Sequence, residues 1–177
     1  MAVQPIHLPV LAKEKADENW RFRQFLKQRC DLDPDEVDRR VLELTQRVWA
    51  TIDCTTCANC CKSVRPTFSE EDVERLSRRL AIERQQFIDT YLEPREGGAD
   101  NPFQTRTTPC PFLKDNRCSV YEDRPADCRG YPYLDEPDFV FRTIAMIDRT
   151  STCPIVYEVL EALKRDVGFG QRGRGGR

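Results

Sequence analysis

A chain of 177 residues is long enough for one domain with a modest core and too short for two large ones. Charged residues make up 33% of the sequence and apolar residues 39%, so a core this thin would gain from an additional cross-link. The net charge of −2 excludes a strong overall field, and we therefore do not expect nucleic acid or an acidic membrane surface as a partner.

The N-terminal segment gives no sign of export. It has no basic start, no sustained apolar run and no small-residue cleavage site, and Pro5 and Pro9 interrupt it. No stretch approaches the roughly 20 apolar residues of a membrane-spanning helix. We therefore expect a cytoplasmic protein with no membrane segment. Because thiols stay reduced there, the nine cysteines favour metal binding over disulfides.

The first third of the chain is predicted to be helical. Residues 14–29 are highly charged and carry an imperfect apolar stripe that includes Trp20 and Phe22. A clearer helix start follows, because Asp33 is a suitable N-cap and Pro34 stands at the first helical position. The apolar residues behind this start recur at helical spacing and predict one buried face: Val37, Val41, Leu44 and Val48.

The middle of the chain alternates short helices with a loop. Ser69 is followed by three acidic residues, which predicts a capped helix start, and a second short helix is expected over residues 87–92. Residues 93–108 are polar and contain prolines and glycines, so they predict a loop that leads to a short extended segment. Residues 139–147 are rich in aromatic and β-branched side chains and predict a strand.

The end of the chain combines a helix with a tail of biased composition. Residues 154–167 predict a final helix that Gly168 ends. The tail that follows is rich in glycine and carries three arginines without an acid, so we expect it to be disordered. The predicted division is therefore an N-terminal helical extension (1–50), a cysteine-cluster metal-binding domain (51–167) and the tail (168–177).

Four cysteines within eight residues form the strongest local signal: Cys54, Cys57, Cys60 and Cys61. Two residues between thiols is the spacing at which one tight turn aims both sulfurs at the same metal. Four more cysteines follow downstream: Cys110, Cys118, Cys128 and Cys153. A predicted turn at residues 114–117 returns Cys118 to the neighbourhood of Cys110. Eight thiols favour two four-thiolate sites or one shared cluster.

The predicted cofactor is zinc or iron, including iron in an iron–sulfur cluster, because all-thiolate ligand sets suit both metals. Any further ligand would be a carboxylate such as Asp53 or Asp127, since the only histidine is the remote His7. Bound thiolates call for nearby cations, and arginines stand around the downstream cysteines, where they equally fit an ordinary solvated surface: Arg106, Arg117, Arg124, Arg129 and Arg142.

A metal held in this way would dominate the stability of the fold. A structural zinc contributes about 10 kcal/mol or more to folding, which exceeds the usual stability margin of a domain this size. The expected fold class is therefore α+β and mostly α, a small helical domain organised around a cysteine-thiolate metal centre. A minor β element is expected between Phe103 and Ile147.

Three other uses of the cysteines remain open. Disulfides would strain the adjacent Cys60 and Cys61 and do not fit a reducing compartment. A catalytic thiol needs an activating base, and His7 is far away in sequence. A redox dithiol at Cys54 and Cys57 would prefer a strand before it and a helix after it, whereas a helix is predicted before it. Cys30, the ninth cysteine, is expected to be a buried or idle thiol.

These residues together resemble a known family. The CxxCxxCC run, the Pro-Cys-Pro-Phe-Leu element, the Cys-Ser-Val-Tyr-Glu stretch and the Cys-Arg-Gly-Tyr-Pro stretch are similar to the YkgJ-type zinc- or iron-chelating cysteine-cluster family. The likeness runs from about residue 53 to residue 163 and implies that the family's eight cysteines correspond to the eight predicted ligands. Many members carry glycine where this chain has Ala58 and Asn59, and we expect Asn59 to tolerate left-handed backbone there.

Metal binding, with the metal cross-linking the fold, is the leading functional hypothesis. Adjacent Cys60 and Cys61 do not easily enter one mononuclear centre, which favours two neighbouring metals or a cluster. A similar cysteine pattern in flagellin lysine-N-methylases suggests an alternative, an iron–sulfur-dependent enzyme such as a protein lysine methylase, although no glycine-rich nucleotide loop is found. A third hypothesis is an interaction adaptor that uses the arginine tail. No protein partner is indicated.

Overall fold

The computed structural model describes residues 3–170 and is predominantly helical with a small amount of strand, which confirms the predicted fold class. The described residues form two compact units, one made of residues 3–53 and 132–170 and the other of residues 54–131. We call them unit 1 and unit 2. The units follow contacts within the chain, whereas the predicted division at residues 50 and 167 follows composition and stays a prediction. The predicted tail lies, from residue 171 onward, outside the described residues.

Unit 1 is helical throughout its regular elements. After a 3-10 turn at Pro5–His7, its helices are α1 (Leu8–Glu14), α2 (Ala16–Gln28), α3 (Pro34–Trp49), α9 (Phe139–Arg149) and α10 (Pro154–Asp166). Helix α3 packs against α9 and α10, and α2 packs against α9. The prediction for α3 is confirmed, because the Asp33 side chain accepts a hydrogen bond from the Glu36 backbone N–H at 2.8 Å. The predicted last helix is also confirmed, and Gly168 follows it with a φ of +67°.

The strand predicted over residues 139–147 is wrong, because this segment is helix α9. Its buried residues, Phe139, Val140, Thr143 and Met146, follow the period of a helix, with Phe141 exposed between them. The carboxylate of Asp38 on α3 accepts hydrogen bonds from the backbone N–H groups of residues 138 and 139, at 2.8 and 2.9 Å. Packing on α3 therefore overrides the β propensity of the aromatic and β-branched side chains.

Unit 2 consists of short elements. They are α4 (Cys54–Cys57), α5 (Asn59–Ser63), β1 (Thr67–Phe68), α6 (Glu70–Leu80), α7 (Arg84–Tyr91), β2 (Leu92–Pro94), β3 (Phe103–Thr105), β4 (Leu113–Lys114), β5 (Arg117–Cys118), a 3-10 turn (Tyr121–Asp123) and α8 (Ala126–Gly130). The strands form an antiparallel sheet in the order β1-β3-β2 and a separate β4–β5 hairpin. Strands β3 to β5 lie in the interval where the minor β element was expected, and β1 and β2 precede it.

One apolar cluster fills unit 2: Phe68, Val73, Leu76, Phe87, Ile88, Leu92, Phe112 and Val120. The predicted start of α6 is confirmed as a capping box, in which the side chains of Ser69 and Asp72 each accept a hydrogen bond from the other's backbone N–H. The predicted short helix is confirmed as α7, which contributes Phe87 and Ile88 to the cluster. In the described part of the chain, no helix is both long enough and apolar enough to cross a bilayer.

Candidate metal centre

Unit 2 contains seven of the eight predicted ligands, and the structure brings four of their thiols into each other's electrostatic range: Cys61, Cys110, Cys118 and Cys128. The eighth predicted ligand, Cys153, belongs to unit 1, where it is buried at the N-terminal end of α10. Cys30 also lies in unit 1, just after α2, and is partly buried.

The first cysteine run folds into two consecutive helical turns. Cys54 and Cys57 begin and end α4, and Cys60 and Cys61 lie in the first turn of α5. The residue between the helices, Ala58, has left-handed backbone with φ 49° and ψ 16°. The left-handed residue is therefore Ala58 and not Asn59, which begins α5. The left-handed position was expected one residue too late in the chain.

The second cysteine stretch is joined to the first by its backbone. The N–H of Cys110 donates a hydrogen bond to the carbonyl oxygen of Cys61 at 2.7 Å. The chain then turns, and the N–H of Leu113 donates to the carbonyl oxygen of Cys110 at 3.0 Å. Cys110 and Cys118 both pack against the apolar cluster of unit 2. One side of the set of four cysteine thiols is therefore shielded from water by apolar side chains.

The β4–β5 hairpin carries Cys118 back toward Cys110, as the predicted turn requires. Its two turn residues, Asp115 and Asn116, have φ values of 48° and 61°, the left-handed conformation that two-residue hairpins need. The side-chain amide of Asn116 donates a hydrogen bond of 2.5 Å to the carbonyl oxygen of Thr56, between the first two cysteines of the run. The tip of the hairpin is thereby attached to α4.

Helix α8, which carries Cys128, is held by two carboxylates. Asp72, only 1% exposed, accepts from the N–H of Ala126 at 3.2 Å and from the Arg75 guanidinium at 2.5 Å. Asp127 accepts from the backbone N–H of Thr67 at 2.7 Å and from its hydroxyl at 3.1 Å. The sequence identified Asp127 only as an alternative metal ligand and did not identify Asp72 as a support for α8, because its bond to Ala126 joins residues 54 positions apart.

The environment of the four thiols acts differently on their pKa values. The pKa of Cys110 is raised to about 11, mainly by burial and to a smaller extent by the neighbouring Cys61 and Cys118. Burial is also the main cause that raises the pKa of Cys118 and of Cys128, and the latter is raised as well by the three other thiols and Asp127. A hydrogen bond from the Cys60 thiol lowers the pKa of Cys61 to about 7.

Two of the arginines considered as cations near the thiolates, Arg124 and Arg142, make other contacts in the structure. The Arg124 guanidinium stacks over the Tyr121 ring at 3.9 Å and is a minor cause that lowers the pKa of Cys118. Arg142 belongs to unit 1, where it donates hydrogen bonds to the carbonyl oxygens of Pro137 and Tyr133 at 2.7 and 2.8 Å.

The family comparison agrees with this arrangement. Residues 53–154 match the CxxCxxCC family, which is described as "putative zinc- or iron-chelating domain". This match covers more than half of the chain. The chain belongs to the CxxCxxCC family. The matched residues include all eight predicted ligand cysteines and exclude Cys30. No match was found among curated proteins or among solved structures.

The chemistry of this CxxCxxCC domain fits a thiophilic cation. Four partly buried thiols with no histidine among them are the donor set that zinc and iron accept and that magnesium and calcium do not. Within residues 3–170, however, no three candidate ligands are already arranged around one point as a bound metal requires. The four thiols are near one another but do not yet surround a single point. Binding of one cation by all four would require their side chains to move.

Proposed function

We propose that Cys61, Cys110, Cys118 and Cys128 hold a zinc or iron ion as thiolates and that this ion cross-links unit 2. The observation that carries the proposal is the meeting of cysteine-bearing segments in a partly buried site: the Cys110 N–H donates to the carbonyl oxygen of Cys61 at 2.7 Å, and the β4–β5 hairpin returns Cys118 to the same place. The electrostatic influence of these thiols on Cys128 is consistent with this arrangement. Their segments come from α5, the turn before β4, the β4–β5 hairpin and α8. A metal bound by all four would cross-link these segments.

The physical argument is charge compensation. Burial makes a lone thiolate costly, and each additional thiolate repels the others, so the group resists ionisation by itself. A divalent cation removes this cost because it attracts all four sulfurs at once, and thiolates are the form in which cysteine binds metals. Cys61 would ionise first, because the Cys60 thiol already donates a hydrogen bond to it.

The remaining predicted ligands extend this proposal. Cys54 and Cys57 lie on the helical turn next to Cys60, so these three thiols would serve a second metal or enlarge the first centre into a cluster. The adjacency of Cys60 and Cys61 supports neighbouring metals, since the two residues would then use their separate sulfurs on adjoining sites. Cys153 remains the proposed eighth ligand. The proposed compartment is the reducing cytoplasm, where these thiols would stay available.

The test is a count of metal and sulfide in protein purified without air. Zinc without inorganic sulfide, in a colourless protein, would give the structural metal site that we propose. Iron with sulfide and a broad visible absorption band would assign an iron–sulfur cluster and make the enzyme hypothesis the one to pursue.

Two serine variants identify the ligands. Cys128→Ser is expected to lower the metal content of the isolated protein, because it removes one thiolate from the group. Cys30→Ser is the matched control and is expected to keep full metal content, since Cys30 lies in unit 1 and outside the matched family segment. Metal-free wild-type protein that is folded and indifferent to chelators would contradict the proposal.

A further inference from the structure

Helices α2 and α9 of unit 1 each carry a row of side chains on the side that the core of the unit leaves open. Both rows have the spacing i, i+3 and i+7, which places their members on one side of a helix. Their apolar members are exposed, Trp20 by 50%, Phe141 by 60% and Ile144 by 46%. We call the two rows together the α2–α9 face, which consists of Trp20, Arg23 and Lys27 on α2 and Phe141, Ile144 and Asp148 on α9.

Exposed aromatic rings give this face the composition of an interface. Tryptophan and phenylalanine are enriched in the cores of protein–protein contacts, and contiguous exposed apolar area on a soluble protein is usually small. Helix α2 packs against α9, and the Lys27 ammonium lies 5.7 Å from the centroid of the Phe141 ring, so the two rows are in contact. The rings on two touching helices therefore form a surface suited to a protein partner.

The two ends of the α2–α9 face carry opposite charges. At one end, the contact between Lys27 and Phe141 joins the last turn of α2 to the first turn of α9. Trp20 stands seven positions before Lys27 along α2, and Asp148 stands seven positions after Phe141 along α9. Because the two helices pack against each other, both rows lead from this contact toward the same opposite end. The face therefore has a cation and a ring at one end and a carboxylate and a ring at the other.

The charges of this face are not used by unit 1 itself. Within residues 3–170, neither the Lys27 ammonium nor the Asp148 carboxylate forms an ion pair, and both side chains are exposed. The Arg23 guanidinium lies 5.1 Å from the centroid of the Trp20 ring, and its Nε has no hydrogen-bond acceptor in the described part of the chain. Both signs of charge are therefore available to a partner.

We propose that two copies of the chain associate through the α2–α9 face, related by a two-fold axis that crosses the helices. This rotation brings the Lys27 end of each copy against the Asp148 end of the other, so the same pair of opposite charges forms twice. It also brings the ring of Phe141 toward that of Trp20 in the second copy and removes both from water. A partner of uniform charge would meet a like charge at one end of the face, which a second copy avoids.

Two charge reversals test this pairing in sedimentation velocity runs over about 1 to 200 μM protein in reducing buffer. Lys27→Glu and Asp148→Lys each place like charges opposite one another twice, so each is expected to weaken self-association roughly ten-fold or more. A mixture of the two variants is expected to form mixed dimers with about the affinity of the wild type, because both pairs of opposite charge are then restored. Lys13→Glu, the same reversal at an exposed position of α1, is the matched control and is expected to leave the dimer unchanged.

The aromatic rings provide a second, optical test, because Trp20 and Trp49 are the only tryptophans of the chain. Trp49→Phe leaves Trp20 as the reporter, and its emission is expected to move to shorter wavelength as the protein concentration rises and the ring becomes buried. Trp20→Ala and Phe141→Ala are each expected to weaken the dimer roughly ten-fold or more. Ile6→Ala is the control, since Ile6 is 81% exposed on the 3-10 turn outside this face. Circular dichroism verifies that each variant keeps its helices.

Three results would overturn the proposal. A wild-type chain that stays monomeric at the highest concentration would leave the face to a partner of another kind. A dimer that survives both charge reversals would be joined elsewhere, and a dimer that reductant dissociates would be joined through cysteines. Two variants that fail to pair in the mixture would show that Lys27 and Asp148 do not meet. Because none of the substitutions alters a proposed metal ligand, a negative result here leaves the proposed metal centre unaffected.

Discussion

The backbone N–H of Cys110 donates a 2.7 Å hydrogen bond to the carbonyl oxygen of Cys61. This bond connects the two cysteine-rich stretches through their main chains, so it does not depend on the state of the thiols. The fold therefore brings the four proposed ligand thiols near one another before any metal binds. Preorganisation of this kind lowers the conformational entropy that binding must overcome.

The metal is expected to stabilise unit 2 more than unit 1. A chelator should remove a contribution of about 10 kcal/mol from the elements that the thiolates join. Hydrogen exchange measured with and without chelator would show loss of protection over residues 54–131, while α2 in unit 1, which carries none of the proposed ligands, serves as the internal reference. Equal exchange in both samples would mean that metal does not hold unit 2 together.

Metal binding is expected to release protons and to strengthen as pH rises. Cys110, with a pKa of about 11, and the raised pKa values of Cys118 and Cys128 keep these three thiols protonated at neutral pH, so the metal must displace their protons. Cys61, with a pKa of about 7, adds a fourth proton only in acid. Calorimetry in buffers of different ionisation enthalpy should therefore count four protons well below pH 7 and three above it. A count that does not change across pH 7 would contradict the assignment of Cys61.

In the absence of metal, the raised pKa of Cys110 is expected to make the fold less stable as the pH rises, whereas metal binding strengthens as the pH rises. Because the pKa of Cys110 lies above its ordinary value of 9.0, the metal-free fold binds this proton more tightly than the unfolded chain does. The contribution of this proton to the free energy of unfolding should be fully present below about pH 9 and should be lost as the pH rises toward 11. Urea unfolding of chelator-treated protein across this interval measures the effect.

Asp72 is expected to be the most sensitive carboxylate of unit 2. Replacing it by alanine leaves the N–H groups of Ser69 and Ala126 and the Arg75 guanidinium without their common acceptor in a buried site. The expected loss is roughly 1–3 kcal/mol of unfolding free energy, because buried donors lose their acceptor while the 31% exposed Arg75 keeps its bonds to the carbonyl oxygens of Asp123 and Arg124. Glu74→Ala is the matched control, because Glu74 forms only an exposed pair with Arg78 on the same helix. Its expected cost is about 0.5 kcal/mol or less.

Left-handed Ala58 predicts different outcomes for two substitutions at one position. Ala58→Gly relieves a strain of roughly 1 kcal/mol but loosens the unfolded chain by a similar amount, so stability and zinc affinity should change little. Ala58→Val places a β-branched side chain at φ 49° in a buried site and should cost about 2 kcal/mol or more. Zinc competition titration should show weaker binding by the valine variant. Equal affinity of both variants would mean that this turn does not orient the cysteines.

The sequence was sufficient where a local pattern decides the structure. The N-cap at Asp33, the capping box at Ser69 and the turn at residues 114–117 each depend on residues within one turn of the chain, and each prediction is confirmed. The neighbourhood of Cys110 and Cys118 followed from the same turn.

The sequence was insufficient where distant residues decide. Residues 139–147 have the composition of a strand, and packing against α2 and α3 favours the helix that they form. No local sequence pattern predicts the hydrogen bond between the Ala126 N–H and the Asp72 carboxylate, because the two residues are 54 positions apart. The left-handed position fell on Ala58 and not on Asn59, since the two helical turns meet one residue earlier than side-chain preference indicates.

The Asp38 carboxylate, which accepts from the main chain 101 residues later, also has a consequence for biosynthesis. A ribosome makes α3 well before residues 138–149, so the acceptor for the first N–H groups of α9 is in place when that segment emerges. The newly made segment can then form helix α9 directly against the already folded α3. A chain that lacks residues 1–50 would release the same amphipathic, β-branched sequence without this guide, and extended, self-associating products are expected from it.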